Sequence, residues 1–211
     1  MPTNAPTPLS ASDNMTAATL NAWIKRTRLR GLLATFTVLV VMQLVSHHHG
    51  EWLRYSRPAI EQGAYWRLLT GHFVHYDYRH AALNMTGLTM LWILFVADAS
   101  PRHWAVVTVT SALTISISLW YQHPEIDWYL GLSGVLHGVW AAASLRAVAR
   151  WRLEAIVSGL LLTSKLLYET YYGALSDPLL GHTLHVVIAA HLYGALGGLV
   201  AEVVCRRTRG P

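Results

Sequence analysis

The chain is poor in charge and in cysteine, and each shortage closes off a class of protein. Only 13% of its 211 residues are Asp, Glu, Lys or Arg while 53% are hydrophobic, a balance displaced from soluble domains in the direction of membrane proteins. A single cysteine, Cys205, excludes an intramolecular disulfide framework and any metal site built from several cysteines. There is no HExxH element, and the run His47, His48, His49, with His72 and His75 nearby, lacks the carboxylate spacing of a zinc centre. It reads as an interfacial loop, and neither metal nor cofactor is expected. Internal repeats are absent, as is a secretory signal with a small-residue cleavage site. Residues 1–24 are largely polar and rich in Pro, Ser, Thr and Ala, as expected of a disordered cytoplasmic tail.

What the chain has instead is apolar runs, at 31–46, 80–98, 103–121, 132–148, 153–169 and 183–205. Several fall short of the ~20 residues that cross a bilayer core comfortably, but together they predict one all-α polytopic membrane domain of six transmembrane helices over 25–211. The basic excess, with a pI near 9.6, gathers at the ends of these runs and not on one patch, so it marks topology and gives no sign of nucleic acid. Lys25, Arg26, Arg28, Arg30, Arg102, Arg146, Arg150, Arg152, Arg206, Arg207 and Arg209 all fall on one side if the spans alternate, which places both termini in the cytoplasm. The long 47–79 loop breaks the pattern with Arg54, Arg57, Arg67 and Arg79. Its Trp52, Tyr55, Tyr65 and Trp66 fit a loop lying in the outer interface.

Basic residues at span ends also serve as a ruler, because a helix rises ~1.5 Å per residue. Ser133 lies 13 residues before Arg146, His191 lies 15 before Arg206, and Asn84 lies 14 before Asp98. The three polar side chains thus sit roughly 20, 22 and 21 Å above the inner interface. At that depth they must satisfy one another or reach water inside the bundle. Four-residue stripes of small residues, Gly134, Gly138 and Ala142 in the fourth segment and Gly194 and Gly198 in the sixth, predict a close contact between those two helices. That contact brings Ser133 within reach of His191, a pairing that turns a weak alcohol into a nucleophile. Gly131 and Gly134 are expected to permit a sharp turn into the helix and to leave room for a substrate backbone. The free N–H groups at that helix start suit a developing oxyanion. His80 and Asn84, four apart on one helical face, are expected to complete the oxyanion site. Each piece has a plainer reading: Gly-x-Ser-Gly arises by chance, a membrane serine commonly bonds back to its own helix, and glycine stripes often only pack.

The combination Trp66-Arg67, His80-x-x-x-Asn84, Gly131-x-Ser133-Gly134 and Ala190-His191-x-x-Gly194-x-x-x-Gly198 resembles the rhomboid family of intramembrane serine proteases over about 60–205. The resemblance implies Ser133 as nucleophile, His191 as general base, and His80 and Asn84 as oxyanion helpers. It implies a Ser-His dyad without a carboxylate, and none is read at this depth. The string GLSGVLHG and the compact six-span form look most like rhombosortases, a bacterial branch. Its implied substrates are exported proteins ending in a Gly-Gly-containing motif, a hydrophobic helix and a basic cluster. Where many rhomboids have a tyrosine one turn after the serine, this chain has His137, read as a packing replacement for that ring or, alternatively, as a proton relay. Lys165 and Glu169, an i,i+4 pair near the outer interface, read as mutual pairing with snorkelling, or alternatively as part of a substrate gate.

The expected protein is therefore an intramembrane serine endopeptidase in the bacterial inner membrane. Its active site opens toward the periplasm, and its partners are the bilayer and the transmembrane segment of an exported substrate. The alternatives are a rhomboid protease with other transmembrane substrates and a catalytically inactive, client-binding relative. A small transporter would require inverted repeats or broken helices, which are not apparent. No motif encodes the substrate's identity or the oligomeric state.

Overall fold

A computed structural model describes residues 29–30, 33–41, 43–45, 51–95, 99–173 and 187–208; the tail, the triplet His47 to His49, and Asp98 lie outside them. The described residues are mostly helical. After helical turns within 33–45, the chain forms β1 (Tyr55–Ser56), the short helices α1 (Arg57–Glu61) and α2 (Arg67–Thr70), and a 3-10 turn at Gly71–Phe73. Then follow α3 (Tyr78–Phe95), α4 (Pro101–Gln122), β2 (Trp128–Tyr129), α5 (Ser133–Ala147), α6 (Arg152–Tyr172) and α7 (Ile188–Arg207). The long helices α3 to α7 coincide with the second to sixth apolar segments. Among the described residues two helices, α4 and α7, have the length and hydropathy to cross a membrane.

The local causes are visible at the helix ends. Ser100 caps α4 by accepting from the His103 N–H, and Pro101 follows in the first turn, where its missing N–H costs nothing. At the other end of α4 the Arg57 guanidinium donates to the carbonyls of Leu119, Trp120 and His123 at 2.9, 3.1 and 3.0 Å. It also lies over the Trp120 ring. Arg67 likewise donates to the carbonyls of Glu51 and Arg54. These two arginines of the 47–79 loop hold backbone carbonyls that helix and loop ends leave unsatisfied, which accounts for their place outside the basic girdle.

α5 packs most extensively on α7, and α4 lies against both. The small-residue stripes make this possible: a Cβ on Gly194 would collide with the carbonyl oxygen of Gly134, and one on Gly198 with that of Gly138. Val107, Ala112, Ile115 and Leu119 of α4 fill the remaining core. Unlike a soluble protein, the bundle turns large apolar side chains outward as well as inward. Met90, Ile93 and Leu94 of α3 and Leu153, Ile156, Leu160 and Leu161 of α6 are exposed, whereas Ser111, Glu169, His191 and Glu202 are buried. Apolar outer faces of this extent fit a lipid environment. At one end Glu202, wholly buried, is held 2.9 Å from Arg206 Nε, 3.3 Å from Arg146 and 2.9 Å from His103. That cluster ties α4, α5 and α7 together.

Candidate active site

Ser133 owes its position to the turn before it. Gly131 has φ +120°, a conformation that side chains disfavour. Its N–H donates to the Gly71 carbonyl at 3.0 Å, and its own carbonyl accepts from the Tyr129 hydroxyl at 2.9 Å. Tyr129 is fixed in turn by the antiparallel pairing of β1 with β2, opposite Tyr55. The turn delivers Ser133 as the first residue of α5, where backbone N–H groups have no partner in a preceding turn. Neither glycine has room for a side chain within the protein itself. A Cβ on Gly131 would lie 2.7 Å from His80 Cε1, and one on Gly134 would lie 2.8 Å from the Ala190 carbonyl oxygen.

The contact of α5 with α7 sets Ser133 Oγ 3.0 Å from His191 Nε2. His191 Nδ1 lies 2.7 Å from Glu169 Oε2. A carboxylate accepts, so Nδ1 carries a proton, and in the neutral ring Nε2 presents its lone pair to the Ser133 hydroxyl. This corrects the expectation that no carboxylate stands at the serine's depth. Glu169 is 1% exposed, and its second oxygen bonds Lys165 Nζ. The Lys165–Glu169 pair therefore reaches inward to the histidine in addition to pairing along α6, because α6 turns this face to the cavity beside α5.

The His137 ring stacks on that of His191, with centroids 4.1 Å apart and planes 13° apart. Its Nδ1 lies 2.7 Å from the Ser133 carbonyl oxygen, which can only accept. Its Nε2 is buried and has no hydrogen-bond partner among the described residues. His137, Glu169 and His191 offer ligand atoms within 4.8 Å of one another, a spacing a cation can use. Because both His191 nitrogens are engaged, a cation there would have to displace Ser133 or Glu169.

His80 and Asn84 project from α3 into the same cavity as Ser133, His137, Lys165 and His191. The Asn84 Nδ2 donates to the His80 carbonyl at 3.2 Å, leaving its second N–H for another acceptor. The His80 backbone N–H donates to Asp77 Oδ1, and its ring meets that of His75 edge-on at 5.1 Å. In the loop ahead of α3, burial pushes His75 down to about 3, with His80 adding repulsion, and burial pushes His72 down to about 4. Both rings are neutral at pH 7. His72 Nε2 lies 2.9 Å from Ser116 Oγ, whose hydroxyl donates to the Leu68 carbonyl; this fastens the loop to α4.

The cavity has a volume of about 1380 Å³ and runs between α3, α5 and α6, from Trp128 past Ser133 to Trp151. Leu83, Met90, Leu136, Trp140 and Leu161 give it apolar walls, and its polar groups converge at one end around Ser133. A hydroxyl paired with an unprotonated imidazole nitrogen, with N–H donors beside it, has the arrangement for acyl transfer. Of the residues singled out in the sequence, Ser133, His137, His191, His80 and Asn84 all meet here, and Glu169 joins them unforeseen. The ruler applied to the fifth segment carried that signal. Glu169 lies 17 residues beyond Arg152, about 25 Å up and so within about a turn of the serine's level.

The family model of the Rhomboid domain matches residues 62–208, which takes in every residue of this site. No curated protein matches the chain.

Proposed function

The chain belongs to the rhomboid family of intramembrane serine proteases, and we propose that it is an active member that cleaves the membrane anchor of exported proteins. The observation that carries the reading is the 3.0 Å approach of Ser133 Oγ to His191 Nε2. Ser133 attacks the scissile carbonyl while His191 takes its proton. The tetrahedral oxygen is held by the Ser133 backbone N–H, His80 and Asn84. His191 then protonates the leaving amine, and the acyl-enzyme is hydrolysed by water that the same base activates. A catalytically inactive client-binding relative is disfavoured, since neither the serine nor the histidine is replaced and the two are within hydrogen-bond distance.

Within the family the reading narrows to rhombosortase-like processing. It assigns six spans, both termini in the cytoplasm of a bacterial cell, and a site opening to the periplasm. The apolar cavity walls suit a substrate helix arriving from lipid beside α5. The substrate class is exported proteins with a Gly-Gly motif, a hydrophobic helix and a basic tail, in place of transmembrane segments at large.

A fluorophosphonate probe and a processing assay on the membrane-embedded protein test the reading. Ser133→Ala is expected to lose labelling and to slow cleavage by at least about 10³-fold. Processing of substrate by that variant at the normal rate excludes the mechanism. Labelling that persists in His191→Ala removes the base assignment alone.

A further inference from the structure

Glu169 stands where a two-residue mechanism has no use for it. A carboxylate that is 1% exposed within an apolar bundle is costly unless it is paired and hydrogen-bonded. Lys165, one turn earlier on α6, supplies a countercharge, yet pairing with a snorkelling lysine would draw the carboxylate outward. The two oxygens instead divide their work: Oε1 takes Lys165 Nζ and Oε2 takes His191 Nδ1 at 2.7 Å. Lys165 is itself 26% exposed and lines the cavity.

We infer that Glu169 is a positioning residue of this protease, one that fixes the tautomer and direction of the His191 ring and stabilises the imidazolium formed when Ser133 loses its proton. The inference rests on the reading of Ser133 and His191 as nucleophile and base. With Nδ1–H committed to the carboxylate, Nε2 is the only nitrogen left to accept from Ser133. As the proton moves to Nε2, the developing positive charge lies one hydrogen bond from a carboxylate in a low-dielectric setting, where such attraction is strong. Lys165 sets its measure. The ammonium on the other oxygen opposes part of the carboxylate's pull on the ring.

The groups facing His191 are His80 on α3, Ser133 and His137 on α5, and Lys165 and Glu169 on α6. Only the last two carry charges whose removal has opposite signs. Glu169→Gln retains a hydrogen-bond acceptor but no charge. It is expected to lower kcat by roughly 10- to 1000-fold with little change in KM. It should also move the acid limb of the rate–pH profile about one unit lower, because the protonated ring has lost its anion. Lys165→Met is expected to move that limb upward. A general folding defect does not shift the two variants in opposite directions. Reconstituted enzyme is assayed across pH with a transmembrane substrate, with Ser133→Ala in parallel. If Ser133→Ala is inactive but Glu169→Gln keeps wild-type kcat and pH profile, the inference is wrong and the protease stands. If Ser133→Ala is active, the underlying reading fails. Should Glu169→Gln not fold, Lys165→Met decides: an unmoved acid limb overturns the role given to the carboxylate.

Discussion

His137 lies beside the Ser133–His191 pair, and its contacts bear on the role it can have there. A histidine invites a role in proton transfer, but one nitrogen of this ring faces the carbonyl of Ser133 and the other has no partner among the described residues, while the ring lies flat against His191. These contacts favour the ring as a packing plate over a proton relay. His137→Phe and His137→Tyr are therefore expected to keep kcat within about tenfold of wild type, the loss of one neutral hydrogen bond being worth only ~1 kcal/mol. His137→Ala removes the plate and is expected to fall further. Cleavage rates of the three variants decide it: a phenylalanine variant as slow as the alanine one would mean that a nitrogen is required and would restore the relay. Ser133, His191, His80 and Asn84 were legible in the sequence because each lies in a short motif whose spacing has a direct geometric meaning. Glu169 was not, because its i,i+4 pairing with Lys165 is already a sufficient local account. Which way α6 faces is decided by its packing on α5 and α7.

Among the helices, the α5–α7 contact sets the distance on which the proposed chemistry depends, and glycines set the contact. A methyl group on Gly194, three residues from His191, would run into the carbonyl of Gly134, one residue from Ser133. Gly194→Ala is expected to destabilise the protein by about 1–3 kcal/mol, as overpacking does, and to depress cleavage by moving His191 off Ser133. Gly159, in α6, has open space where its Cβ would stand. Gly159→Ala is expected to leave cleavage unchanged and to stabilise α6 by up to ~1 kcal/mol. Thermal unfolding in detergent with parallel activity measurements compares the two; equal behaviour would show that close approach is not what the stripe provides. The stripes themselves were readable as four-residue spacing, as were the long helices α3 to α7 from their apolar runs. The β1–β2 pairing was not. Two residues on each side make no alternating pattern, and the pairing exists because α4 brings the two loops together.

Taken whole, the molecule has two unlike ends joined by the cavity. At one end Glu202 with Arg146, Arg206 and His103 locks α4, α5 and α7. At the other, loops and short helices surround Ser133, and the apolar channel between α3, α5 and α6 connects the two. On the proposed reading a substrate helix lies in that channel with one end at the serine, but a helix shields its carbonyls with side chains and hydrogen bonds. Cleavage therefore requires a few residues to leave the helix first. Glycine costs a helix ~1 kcal/mol relative to alanine and offers no Cβ against the nucleophile. A Gly-Gly pair at the serine's depth thus lowers the unwinding cost by about 2 kcal/mol, roughly thirtyfold in rate if unwinding precedes attack. Replacing Gly-Gly by Leu-Leu in such a substrate is expected to slow cleavage by that order. Altering the basic tail is expected to change insertion while leaving the rate for inserted substrate intact. Mass spectrometry of the new C-termini, with rates from reconstituted enzyme, provides the measurement. Equal cleavage of the Leu-Leu variant at the same bond would show that glycine unwinding is not what the enzyme reads, and would return the substrate class to transmembrane segments in general.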